Sequence, residues 1–236
     1  MKSDCVGICK MKKAILIGGT SGIGHSLVQH LVQNQWEVHI MSRKADEKNS
    51  HGQINYHTLD ILDENPSFPE INAIDGFVYL PGSINLKPFR SLKPAFFLAD
   101  LQINLLGAVK ALQHFSPNFN EGASSVLFST VAVQRGMAFH SSIASSKGAI
   151  EGLVRSLAAE WAPKYRINCV APSLTNTPLA ERLLKNEKMQ EAAKERHPLK
   201  TIGTPEDMAL STLFLLSKQS RFMTGQVLGV DGGLSG

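Results

Sequence analysis

Cysteine, tyrosine and long apolar runs are all scarce in this chain of 236 residues. Its three cysteines, Cys5, Cys9 and Cys169, are an odd number. A chain of this length buries a core large enough to fold without disulfide staples, so a disulfide scaffold is excluded as a class. Cys5 and Cys9 would make half a metal site, but no second pair or histidine cluster completes one, and no metal is expected. No run approaches the roughly 18 to 20 consecutive apolar residues that a bilayer crossing needs, so no membrane partner is expected. The opening MKSDCVGICKMKK lacks a long apolar core and a small-residue cleavage site. A cytoplasmic location follows as the expectation, with residues 1–11 a flexible extension and Met11 an alternative start. Net charge is +4, yet the basic residues are scattered apart from Lys10–Lys13 and the Lys194–Lys200 stretch. Nucleic acid demands a concentrated basic face, and none is expected as a partner.

What is present is a regular alternation. Short apolar runs give way to helical patterns along nearly the whole chain, the pattern of βαβ units around a parallel sheet. The candidate strands are Ala14–Gly19, Glu37–Ser42, Ile54–Asp60, Gly76–Leu80, Ser125–Thr130, Arg166–Pro172 and Gln226–Gly233. Between them Ile23, Leu27 and Leu31 share one helical face, as do Leu153, Leu157 and Trp161. No repeat or linker interrupts the pattern, so residues 12–236 read as one domain. One connection, residues 174–205, is much longer than the rest and carries the charged helical stretch LAERLLKNEKMQEAAKERH. Open parallel sheets place ligands at the carboxyl ends of their strands, which makes this connection either a substrate lid or a solvated helical excursion.

The segment AILIGGTSGIGHSLVQHL places Gly18, Gly22 and Gly24 between a strand and a helix. Glycines there let the backbone turn tightly against a pyrophosphate, and the helix N-terminus offers free N–H groups to its charge. At the end of the next strand stand Ser42, Arg43 and Lys44 rather than the carboxylate that holds a free ribose 2′-hydroxyl. A guanidinium suits a 2′-phosphate, so the expected cofactor is NADP(H), with NAD(H) second.

Over residues 12–236 these segments resemble the short-chain dehydrogenase/reductase family. GGTSGIG is similar to the family's cofactor loop, which implies contacts from Gly18, Thr20, Ser21, Gly22, Ile23 and Gly24. In LDI, Asp60 stands where the family's aspartate touches adenine. Asn104 of INLLG takes the place of the catalytic asparagine. INCVAPSLTNTPL resembles the stretch lining the nicotinamide, with Pro172 and Thr177 in matching places, and MTGQVLGVDGG resembles the last strand. The resemblance implies an α/β, single-domain, doubly wound Rossmann fold with a mainly parallel seven-stranded sheet. It also implies carbonyl–alcohol interconversion by hydride transfer, and a homodimer or homotetramer built through the helix from Ser142 to Ala162.

The chain departs from that pattern at several places. The family's tetrad of Asn, Ser, Tyr and Lys maps onto Asn104, Thr130, Ile143 and Lys147, so isoleucine stands where tyrosine passes the proton. The family's NNAG reads YLPG, keeping only Gly82, and the glycine after the proline of AP is Ser173. No tyrosine among Tyr56, Tyr79 and Tyr165 precedes a lysine by four. Positioned acid–base catalysis contributes about 10²- to 10⁴-fold, less than the total acceleration of an enzyme, so turnover can survive the loss. His140, three residues before Ile143, is the candidate substitute donor, with water as the other. The expectation is an NADPH-dependent oxidoreductase with a non-standard proton donor. The alternatives are a non-catalytic NADP(H)-binding or assembly protein on the same fold, and hydride delivery to an activated double bond.

Overall fold

A computed structural model describes residues 11–45 and 47–236. Of the expected flexible extension only Met11 is among them; Cys5 and Cys9 lie outside the described residues. Seven strands form one sheet: β1 (Lys12–Ile17), β2 (Trp36–Ser42), β3 (Ile54–Thr58), β4 (Ile74–Tyr79), β5 (Phe119–Phe128), β6 (Arg166–Pro172) and β7 (Val227–Val230). Their order is β3-β2-β1-β4-β5-β6-β7, and every pairing is parallel. The sheet is therefore wholly parallel rather than mainly so. The order reverses direction between β1 and β4, which opens a crevice at their carboxyl ends.

Both faces of the sheet are covered, which is why its strands read as unbroken apolar runs rather than alternating ones. In β1, Ala14 and Leu16 point to one face while Ile15 and Ile17 point to the other. On the first face lie α1 (Gly22–Gln33) and, from the far end of the chain, α7 (Pro205–Leu216), contributing Leu27, Leu31, Met208 and Leu215. The second face is covered by α3 (Gly107–Phe115) and α5 (Ser141–Trp161) through Ala108, Phe115, Ile150 and Val154. Shorter helices are α2 (Pro94–Leu101), α4 (Ala132–Arg135) and α6 (Glu187–Glu195).

Two expected strands are shorter than their apolar patterns. The third ends at Thr58. The last ends at Val230, because Gly232 and Gly233 turn the chain with φ of +60° and +85°. A π-helical stretch, Gln102–Leu106, joins α2 to α3. The helical run Pro94–Asn118 is, among the described residues, the one long and apolar enough by length and composition to cross a membrane. Two of its charged residues are engaged within the protein: Asp100 is fully buried, and Lys110 donates to the carbonyls of Asp63 and Glu64.

Candidate active site

The carboxyl ends of β1, β2, β4, β5 and β6 surround a cleft of about 910 Å³. Its first wall is the turn from β1 into α1. Gly18 and Gly22 have φ of +79° and +53°, a region open to glycine at little cost. A Cβ on Gly24 would lie 2.7 Å from the Gly18 carbonyl oxygen, and one on Gly19 would lie 2.8 Å from Ile40. The turn therefore requires glycine at four places, of which the residue pattern singled out three; Gly19 went unnoticed because its constraint is a neighbouring strand. The first turn of α1 holds no acidic residue, so its dipole faces the cleft unopposed.

Thr20, Ser21, Ile23, Ser42, Arg43 and Asp60 all line the cleft, as their motifs imply. The Thr20 and Ser42 hydroxyls are 3.3 Å apart, tying the two strand ends together. Arg43 is exposed at the rim, and one Asp60 oxygen accepts the Leu62 N–H. Thr177 and Pro172 line the opposite side. A Cβ on Gly22 would lie 3.5 Å from both Thr177 and Pro178, so the long connection meets the glycine turn directly. Leu179, Leu183, Met189 and Arg196 from that connection complete this wall.

The floor is built differently from the motif. Gly82 lines the cleft, and behind it Asn104 is fully buried rather than lining the wall. The π-helical turn lets Asn104 Nδ2 donate to both the Asp100 carbonyl (2.8 Å) and Ser83 Oγ (3.1 Å). Its Oδ1 is buried without a partner. A Cβ on Gly82 would sit 3.3 Å from that oxygen and 3.5 Å from Lys147 Nζ, so any larger residue would fill the space between them. Asp100, which sequence reasoning missed, anchors this floor by accepting from Ser83 (2.6 Å), Asn85 (2.8 Å) and Ser142 (2.5 Å). Its partners lie 15 to 42 residues away along the chain, and no local spacing announces them.

Thr130 ends the β5 region, its Oγ1 accepting the Ala132 N–H at 3.3 Å and keeping its own hydrogen for the cleft. From α5, Ile143 and Lys147 line the cleft one turn apart, with His140 at the helix start. His140 Nδ1 bonds the Ala138 carbonyl at 2.7 Å. Burial pulls the Lys147 ammonium down from 10.5 to about 8. Burial also pushes the neighbouring Cys169 thiol up to about 12, so it carries no charge near neutrality. The anion that faces Lys147 is accordingly Asp100.

No tyrosine lines the cleft among the described residues. Tyr79, expected near the cofactor edge, is buried and donates its hydroxyl to the Ile103 carbonyl at 2.5 Å; burial raises its pKa. Tyr165 packs edge-on against Phe119 and Trp161, and Tyr56 lies on β3. No cluster of metal-ligating side chains occurs among the described residues. The glycine turn, the unopposed helix end and the unpartnered acceptor beside Lys147 fit a dinucleotide, which Gly18–Gly24 could hold at its phosphates and Lys147 at a ribose.

A family model described as enoyl-(acyl carrier protein) reductase matches residues 67–235. The chain belongs to the short-chain dehydrogenase/reductase family. It is 31% identical over 245 residues to a tropinone reductase homolog of Arabidopsis thaliana, covering 95% of this chain and 92% of the relative. A probable 2,4-dienoyl-CoA reductase of Bacillus subtilis (strain 168) is 29% identical over 94% of this chain and 96% of its own. Tropinone reductase-like 3 of Erythroxylum coca is 36% identical over 132 residues; there the match spans 56% of this chain and 51% of the relative. Among solved structures, ligand-free aldohexose dehydrogenase of Thermoplasma acidophilum superposes with a TM-score of 0.83 at 25% identity, covering 95% and 94% of the two chains. ElxO with NADP bound gives 0.82 at 25% identity, covering 95% and 98%. Short-chain dehydrogenases/reductases are oxidoreductases that use nicotinamide cofactors, and this chain shares their fold over nearly its whole length.

Proposed function

We propose that the protein is an NADPH-dependent oxidoreductase that interconverts a carbonyl and an alcohol, with a proton donor other than tyrosine. The observation that carries this reading is one cleft in which the glycine turn, Lys147 and Thr130 all face the same space. The cofactor supplies the hydride. Lys147 holds its ribose, Thr130 orients the substrate oxygen, and Arg43 at the rim favours a 2′-phosphate. Residues 174–205 act as a lid whose apolar inner side, including Leu179, Leu183 and Met189, selects an apolar substrate. The donor's place on α5 is taken by Ile143, with His140 nearby as one candidate.

Two further elements belong to this proposal: a cytoplasmic location, and a homodimer or homotetramer. Leu98 and Leu106 are 66% and 44% exposed on the helical run beside α5, an apolar strip for a second copy to cover. Calorimetry with NADPH and NADH tests the cofactor. Binding of NADPH about tenfold or more tighter than NADH is expected, with the preference inverted by Arg43→Asp. Equal affinity for the two, unchanged by that substitution, would count against the Arg43 reading.

A second reading is a non-catalytic NADP(H)-binding or assembly protein on the same fold, favoured by Ile143 and by YLPG at Tyr79–Gly82. A panel of ketones and enoyl thioesters, each with and without Lys147→Met, separates the two. It also covers double-bond reduction, the chemistry named for the family model and the Bacillus relative.

A further inference from the structure

Ser173 follows Pro172 at the carboxyl end of β6, and the bond from Val131 N to the Pro172 carbonyl (3.1 Å) sets it beside Thr130. Both residues line the cleft together with Ile143 and Lys147. Beside Ser173 stands His197, just past the end of α6, only 1% exposed and itself part of the cleft lining. Both ring nitrogens are engaged: Nδ1 lies 2.8 Å from the Ala193 carbonyl and Nε2 lies 2.9 Å from Ser173 Oγ. A carbonyl only accepts, so Nδ1 carries a hydrogen. In the neutral ring Nε2 then accepts from the serine hydroxyl. When the ring gains a proton, Nε2–H donates to Oγ and the serine hydrogen is released towards the cleft. The ring is held in this orientation by the two hydrogen bonds at its opposite nitrogens.

Other hydroxyls of the cleft lack this arrangement. Ser83 directs its hydrogen to Asp100 and Ser129 to Glu151, both away from the space a substrate would fill. His140 has no hydroxyl between it and the cleft.

We propose that Ser173, supplied by His197, is the proton donor of this site; the inference rests on the oxidoreductase reading above. A bound dihydronicotinamide would supply the hydride that forms the new C–H bond at the substrate's carbonyl carbon. The C–O π pair moves to oxygen, which takes the Ser173 hydroxyl proton. Ser173 Oγ takes the Nε2 proton of the imidazolium, and after the product leaves, the neutral ring regains a proton at Nε2 from water in the cleft that His197 lines. One hydride and one proton are consumed, giving the alcohol and the oxidised cofactor. Ser173 is the catalytic residue and His197 the residue that acts through it.

The first measurement needs no substrate. In protein labelled with ¹⁵N at histidine, long-range NMR correlations report which ring nitrogen bears hydrogen. The His197 imidazole, assigned by the signals lost in His197→Gln, is expected as the Nδ1–H tautomer with its Nε2 shifted in Ser173→Ala; an Nε2–H tautomer at His197, or an Nε2 that Ser173→Ala leaves unmoved, overturns the pair. In NADPH-dependent turnover over the carbonyl panel, Ser173→Ala and His197→Gln are each expected to lower kcat by about 10²- to 10⁴-fold, with KM and NADPH affinity held within about threefold. Ser173→Thr, which keeps the hydroxyl, is expected to recover most of that loss. Turnover in the wild type with both variants unimpaired, or a loss confined to His140→Gln, overturns the relay and leaves the oxidoreductase reading standing. Wild-type protein that binds NADPH yet reduces nothing also overturns the relay. Failure to bind NADPH by calorimetry overturns the reading itself.

Discussion

Lys147 carries a charge whose burial costs stability. Lowering its ammonium from 10.5 to about 8 corresponds to about 3 kcal/mol spent on burying the charge. Below about 8 both folded and unfolded chains hold the proton, and the whole cost is present. Between about 8 and 10.5 the folded chain sheds its proton first, so this contribution to stability rises with pH. Lys147→Met is therefore expected to stabilise the cofactor-free protein by up to about 3 kcal/mol at pH 7, with the gain shrinking towards pH 10 and NADPH binding weakened. Urea unfolding of both proteins at pH 7 and 9.5 measures it, and a gain independent of pH would refute the assignment. Ile143 offers the converse test. Ile143→Tyr places a phenol one turn from Lys147, and with Ser173→Ala it is expected to restore at least about tenfold in kcat. Of the residues singled out by their motifs, the glycines, Thr130 and Lys147 meet at the cleft, while Asn104 lies buried behind Gly82. Asp100 and His197 were not legible in the sequence, because their partners are brought close only by tertiary folding.

At the scale of elements, strands and helices were legible because a parallel sheet covered on both faces leaves continuous apolar runs separated by helical periodicity. Less visible was what ties the ends together. Arg166, at the start of β6, donates to the carbonyls of Leu215, Ser217, Ser220 and Met223, so one guanidinium closes the end of α7 and the turn that follows. Nothing in the neighbouring sequence of an arginine that opens a strand signals this. Each of the four carbonyls keeps a second donor, so removing Arg166 costs its charged hydrogen bonds and the clamp they form rather than leaving orphaned acceptors. Arg166→Met is expected to cost about 2–4 kcal/mol, read as a lowered unfolding midpoint with cofactor affinity retained. Gly24→Ala behaves in the opposite sense. Its methyl would meet the Gly18 carbonyl at 2.7 Å, so the turn must open and NADPH binding is expected to fall at least about tenfold, checked by calorimetry.

For the whole molecule, the cleft draws on the ends of five strands, so a ligand there bridges both halves of the sheet. At a concentration about 100 times its Kd, NADPH is expected to add about 2.7 kcal/mol of stability, seen as a rise in Tm that NADH reproduces only at much higher concentration. The exposed strip at Leu98 and Leu106 makes a concentration-dependent mass in light scattering the corresponding check on assembly. The last turn of the described chain belongs to the cleft as well. Leu234 lines it, Arg135 donates to the Leu234 carbonyl, and Asp231 holds the Gly233 and Ser235 N–H groups at 2.9 and 2.8 Å. Any polypeptide or label attached after Gly236 therefore departs from the wall of the binding site. A fluorophore placed there acts as an occupancy sensor, whereas an affinity tag in the same position becomes an unintended competitor for the space that a ligand must enter.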